Sequence, residues 1–170
     1  MSENKSHGSL SAESVILLII VIDKEINMFE SNSLMTRIAV GKLLGAIIGV
    51  TAFFFIPQYL PDASVTLHWG VFLWYITFGA IIGVFGIYTK MPIINVATPW
   101  WIRGAYIGAW LNLIISLIAY DDLAQLMVSI FGQDGLLSSP YWMVLEGAVF
   151  GFLIDYFATR FGGEGAELIK

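Results

Sequence analysis

Four long apolar runs, separated by short polar or proline-bearing breaks, dominate the pattern along this chain. A spanning helix needs about 20 mostly apolar residues to cross about 30 Å of hydrocarbon. The runs at about Ile38–Ile56, Leu67–Tyr88, Trp100–Tyr120 and Tyr141–Phe161 have that length. The first is expected to stop at Pro57, with Pro61 preventing a restart, because proline lacks a helical donor and its ring collides with the preceding turn. The second should end before Met91-Pro92. The third starts just after Pro99, where the first helical turn tolerates proline. The fourth opens on Ser138-Ser139-Pro140, a capping serine followed by proline, and closes at Gly162-Gly163.

Two shorter patterns accompany the spans. The aliphatic run Val15–Ile22 is too short to cross a bilayer and reads as an interfacial or partner-contacting segment. Its β-branched content leaves helix and strand open, with a helix continuing through Asp23-Lys24-Glu25 the favoured form. Between the third and fourth spans, Leu123, Leu126, Met127 and Ile130 recur at helical spacing and Gly132 follows as a stop. That pattern predicts a short amphipathic helix on the membrane surface. The expected fold is an all-α integral membrane protein: a four-transmembrane-helix bundle over residues 34–161, an N-terminal segment over 1–33 and a tail over 162–170.

Composition supports lipid as the solvent. Hydrophobic residues make up 58% of the chain and charged ones 12%, against about half and a quarter in soluble domains. The absence of cysteine excludes disulfides, a thiol nucleophile and iron–sulfur ligation. A net charge of −5 with scattered basic residues argues against nucleic-acid binding. The run at Val15–Ile22 follows Glu13 and lacks a small-x-small cleavage site, so the N-terminus reads as retained rather than as a signal peptide.

The placement of charge sets an orientation. Lys5, Lys24, Arg37 and Lys42 precede or open the first span, Lys90 and Arg103 flank the second connection, and Arg160 and Lys170 end the chain. The connections over 57–66 and 121–140 contain no Lys or Arg. Basic loops stay in the cytoplasm, so both termini are expected there, in a bacterial inner membrane, with Asp62, Asp121, Asp122 and Asp134 on the far side. Trp69, Trp100, Trp101, Trp142, Tyr120 and Tyr141 fall at span ends, as an interfacial aromatic belt would.

Every span carries the pattern Gly-Ala-x-x-Gly, at Gly45/Gly49, Gly79/Gly83, Gly104/Gly108 and Gly147/Gly151, and Gly41 extends the first. Glycines four apart share a helix face and let backbones approach until dispersion and Cα–H···O contacts operate. The pattern predicts close packing inside the bundle; the alternative is a face for a homo-oligomer or another subunit, with the first span the best candidate. Spans two and four match at an offset of 68 through Trp74, Gly79, Ala80, Gly83 and Tyr88, and spans one and three share glycines at an offset of 59. This reads either as a duplicated helical hairpin or as chance in so biased a composition.

Ionisable or amide groups inside a membrane are candidates for function, and here they are Glu146, Asp155, Arg103 and Asn112. Glu146 and Asp155 lie roughly 8 and 9 Å from opposite ends of the fourth span, about 180° apart around its axis, so they cannot act as one acid–base pair. Asp155 is expected to pair with Arg103, Glu146 to accept from Asn112 or interfacial water, and Asn112 to bond another helix. His68, beside Trp69, reads as interfacial and His7 as part of a tail. No motif for a metal, a phosphate loop or a nucleophile elbow is present, so no cofactor is expected. The expected function is that of a non-enzymatic subunit or scaffold, with membrane lipids, a homo-oligomer or other membrane-protein subunits as partners. The alternatives are an oligomeric translocator of ions or small solutes using Glu146, Asp155 and Asn112, and a membrane-embedded enzyme acting on lipid.

Overall fold

A computed structural model describes residues 13–17, 19–20, 33–90 and 96–169. Residues 13–17 and 19–20 are helical with exposed side chains; the remaining positions of that apolar run, 18, 21 and 22, lie outside the described residues. From Ser33 onward the described chain is helical and has four helices long and apolar enough to span a membrane, as a multi-pass membrane protein requires.

Helix α1 (Leu34–Tyr59) begins where the Ser33 hydroxyl accepts from the Thr36 amide at 3.1 Å. It runs through Pro57 instead of stopping there. Pro57 lies in the last turn, where its missing N–H forfeits a single bond, and Leu60 N–H still donates to Ile56 at 2.8 Å. Helix α2 (Val65–Phe85) is capped by Ser64, whose hydroxyl accepts from Leu67 N–H at 3.1 Å, and ends at Gly86. Helix α3 (Trp100–Ile118) follows Pro99, and a break at Ala119 separates it from α4 (Tyr120–Phe131). Asp121 and Asp122 in the first turn of α4 favour the positive end of its dipole, and Gly132 ends it at φ 81°. Helix α5 (Trp142–Gly162) ends at Gly163, φ 71°, followed by a 3₁₀ turn at Ala166–Ile169. The tail is tied back by Gly165 N–H donating to Gly86 at 3.0 Å.

The helices pack as two intimate antiparallel pairs, α1 with α2 and α3 with α5. The glycines set how close each pair comes. A Cβ added at Gly41 would collide with the Gly79 carbonyl, one at Gly45 with the Tyr75 carbonyl, and one at Gly108 with the Gly147 carbonyl. These positions are therefore occupied by the chain's own backbone. Tyr75, Phe78 and Ile82 of α2 meet Ile154 of α5 in the core, with Leu44, Ile48, Ile107, Leu111 and Phe150 packed around them, so the two pairs share one interior.

The register does not follow a duplicated hairpin. Shifting Gly45 and its neighbour Tyr75 by the offsets of 59 and 68 would set Gly104 against Met143, yet Gly104 lies against Gly151 and Asp155, about two turns further along. In α3 and α5 both motif glycines face glycine; in α1 and α2 Gly41 and Gly79 meet, but the pairing is slipped so that Gly45 and Gly49 face Tyr75 and Phe72.

Candidate functional site: a buried ion cluster

The glycine ladders aim polar side chains into the bundle. Residues four apart lie nearly above one another on a helix, so Arg37 continues the row of Gly41, Gly45 and Gly49. Asn112 and Ser116 continue Gly104 and Gly108, and Asp155 and Thr159 continue Gly147 and Gly151. Arg37 and Asp155 are both fully buried.

These rows converge where α1 and α3 begin and α5 ends. Arg37 Nη2 donates to Asp155 Oδ1 at 2.5 Å. Arg103 grips the same carboxylate side-on, Nε to Oδ2 at 2.9 Å and Nη2 to Oδ1 at 3.1 Å. Thr159 Oγ1 adds a donor to Oδ1 at 3.3 Å. Asp155 thus receives four hydrogen bonds from three side chains, three of them on Oδ1 and one on Oδ2. Most of the remaining arginine donors are also used. Arg37 reaches the Gly83 carbonyl at 3.1 Å, Thr159 at 2.9 Å and the Gly163 carbonyl. Arg103 reaches the Tyr88 carbonyl and Glu164 Oε2, each at 3.2 Å. Two arginines against Asp155 and Glu164 make the group neutral overall, which is the condition for holding charge in a poorly solvated interior. Glycine also makes the room: a Cβ at Gly86 would overlap the Arg37 guanidinium, and one at Gly162 would meet Arg37 Cγ at 2.5 Å.

Arg103 and Asp155, both singled out by the sequence, are brought together. Arg37 and Glu164 are members that sequence reasoning missed. By charge bias alone Arg37 is a flanking cytoplasmic charge; its place four residues before Gly41 on the same ladder is the signal that it points inward. Glu164 carried none, because its approach depends on the turn at Gly163 and the tie of Gly165 to Gly86.

A second polar group sits nearer the other end. Tyr75 Oη donates to Glu146 Oε1 at 3.0 Å, with Tyr75 buried and Glu146 half-buried. Asn112 does not serve Glu146. It donates to the Met143 carbonyl at 2.9 Å and accepts a long contact of 3.4 Å from the Trp74 indole N–H. Ser116 bonds the Asn112 and Pro140 carbonyls, at 2.7 and 3.2 Å. His68 is buried, at 8% exposure; its Nδ1 bonds the Ser64 carbonyl at 2.8 Å and its Nε2 has no hydrogen-bond partner among the described residues.

No protein-family model, curated protein or solved structure matches this chain. Function must therefore be read from the geometry. A carboxylate held by four hydrogen bonds, between two arginines that each direct four at protein acceptors, is committed largely to the bundle's own groups. Its chemistry is cohesion: it joins α1, α3 and α5 to the ends of α2 and the tail.

Proposed function

We propose that this protein is a non-enzymatic membrane subunit or scaffold: a rigid four-span bundle, held by the ion cluster, that presents its lipid-facing surface to other membrane proteins. The observation carrying this reading is the engagement of fully buried Asp155 by two arginines and Thr159, because the deepest charges serve cohesion rather than exposed chemistry. The glycines of α1 are occupied by α2, so the partner meets the opposite stripe of α1, where Leu43, Ile47, Val50 and Phe54 are exposed one above another. In this reading both termini and the ion cluster lie on the cytoplasmic side, following the bias of Lys and Arg, in a bacterial inner membrane. Helix α4 then lies along the outer surface, its acidic first turn in water and Leu123 buried beneath it.

A second reading draws on Glu146. A half-buried carboxylate opposite a buried tyrosine hydroxyl is a fitting station for an ion or proton, and four helices would need to oligomerise to form a path. One experiment separates the two. Affinity purification in mild detergent from native membranes, followed by native mass measurement, should yield a stoichiometric partner that Leu43→Glu or Phe54→Glu removes. A homo-oligomer without partners, whose flux in liposomes is lost in Glu146→Gln, would replace the scaffold reading with the translocator.

A further inference from the structure

Between the two helix pairs lies a groove of about 410 Å³, bounded by α2, α3 and the start of α4, within the size range of ligand sites. Its existence follows from the glycine faces. Those of α2 are spent on α1 and those of α3 on α5, so α2 and α3 do not close on each other. Gly70 marks the opening. Every other glycine within the four spanning helices has neighbouring atoms against an added Cβ, whereas at Gly70 nothing among the described residues lies within 4 Å.

The groove is polarised along its length. Ser64, Thr66 and Asp122 line it at the end where α2 and α4 begin; Gly70, Val71 and Ile115 follow along the wall, and Trp74 and Thr77 line it further along α2. From Ser64 to Thr77 the wall rises roughly 20 Å at 1.5 Å per residue, about the depth of one leaflet with its headgroup layer. The Ser64 oxygen accepts from Leu67 N–H, leaving its own proton to donate. Asp122 is exposed.

We propose that this groove is a site for one phospholipid whose headgroup carries an ammonium and is net neutral. The acyl chain lies over Gly70 and against Ile115, the phosphate accepts from the Ser64 and Thr66 hydroxyls, and the ammonium faces Asp122. An empty apolar groove forfeits dispersion contacts along its whole wall, and a lipid tail recovers them. Charge decides among lipids: Asp122 attracts an ammonium and repels an anionic headgroup that has none. The proposal rests on the chain spanning a membrane, and not on the scaffold reading.

The test is native mass spectrometry of the full chain, purified with an equimolar mixture of dioleoyl phosphatidylethanolamine and dioleoyl phosphatidylglycerol. The wild-type protein should retain one phosphatidylethanolamine per chain, several-fold over phosphatidylglycerol, and Gly70→Ala should behave alike. Gly70→Phe fills the groove from its open side and should lower retention at least tenfold with unchanged helicity and thermal unfolding. Asp122→Asn should keep a lipid but bring the two headgroups close to parity. The proposal is overturned if Gly70→Phe keeps the lipid, if the wild type prefers phosphatidylglycerol, or if Gly70→Phe instead removes a second copy or another protein. Should Gly70→Phe not fold, the headgroup preference of wild type against Asp122→Asn decides alone. A partner captured equally by wild type and Gly70→Phe leaves the scaffold reading standing apart from this one.

Discussion

The two polar groups of the bundle solve one problem in different ways. At the end where α1 begins, Arg37, Arg103, Asp155 and Glu164 cancel each other's charge, and the two arginines and Thr159 give Asp155 four hydrogen bonds. Toward the other end, Tyr75 and Glu146 share one bond and Glu146 keeps a half-open side. The difference teaches that burial alone does not make an intramembrane acid reactive. What matters is how much of its valence the fold has already taken. Asp155 is the more deeply buried acid and the less available one.

This contrast predicts a graded series of stability losses, measured by thermal or denaturant unfolding in detergent. The largest belongs to Asp155→Asn, which leaves Arg37 and Arg103 facing each other without their shared anion and should cost about 3–5 kcal/mol. Next come two glycine substitutions that load the opposite ends. A Cβ at Gly104 would stand 2.5 Å from Asp155 Cβ, and one at Gly147 would stand 2.6 Å from Asn112 Cβ. Each overpacks by about 1–3 kcal/mol, and Gly104→Ala should be the worse because it also displaces the ion cluster. Glu146→Gln keeps an acceptor for Tyr75 and should cost under about 1 kcal/mol, in line with measured interhelical hydrogen bonds. Smallest is Glu164→Gln: its side chain is 38% exposed and makes one ion pair, so a loss of about 0.2–1 kcal/mol is expected. If Glu146→Gln proved as damaging as Asp155→Asn, the distinction between the two ends would collapse.

Much of this arrangement was legible in the chain. The four spans follow from hydropathy and length, and the start of α3 after Pro99 and the end of α5 at Gly163 from local breakers, whereas the serine cap expected at Ser138-Ser139-Pro140 does not form: α5 starts at Trp142 without a side-chain cap. Arg103 and Asp155 could be matched by depth along their helices. What escaped is the lateral register. Which helix a glycine face meets depends on packing between elements distant in sequence, so neither the slipped pairing of Gly45 with Tyr75 nor the approach of Arg37 to Asp155 could be read from spacing within one helix. For Glu146 the sequence points to Asn112 or interfacial water; the bundle supplies Tyr75 from another helix. Pro57 misled because a proline's effect depends on whether the helix has further turns to make. The four-residue row running from Gly41 back to Arg37 was visible throughout, and it shows that a glycine ladder also marks where the next polar side chain points.

The claim that the ion cluster is a structural lock is tested most directly by a double-mutant cycle between Arg103 and Asp155, using Arg103→Leu, Asp155→Leu and the pair, with unfolding free energy as the readout. In the double variant Arg37 retains the Gly83, Thr159 and Gly163 acceptors, and Arg37 with Glu164 keeps that end neutral. The double variant should therefore be more stable than Asp155→Leu alone, with a coupling of about 2 kcal/mol or more, toward the upper part of the range for residues in contact. Additive losses, with coupling near zero, would contradict the account, because Asp155 would then be held by something other than the arginines around it.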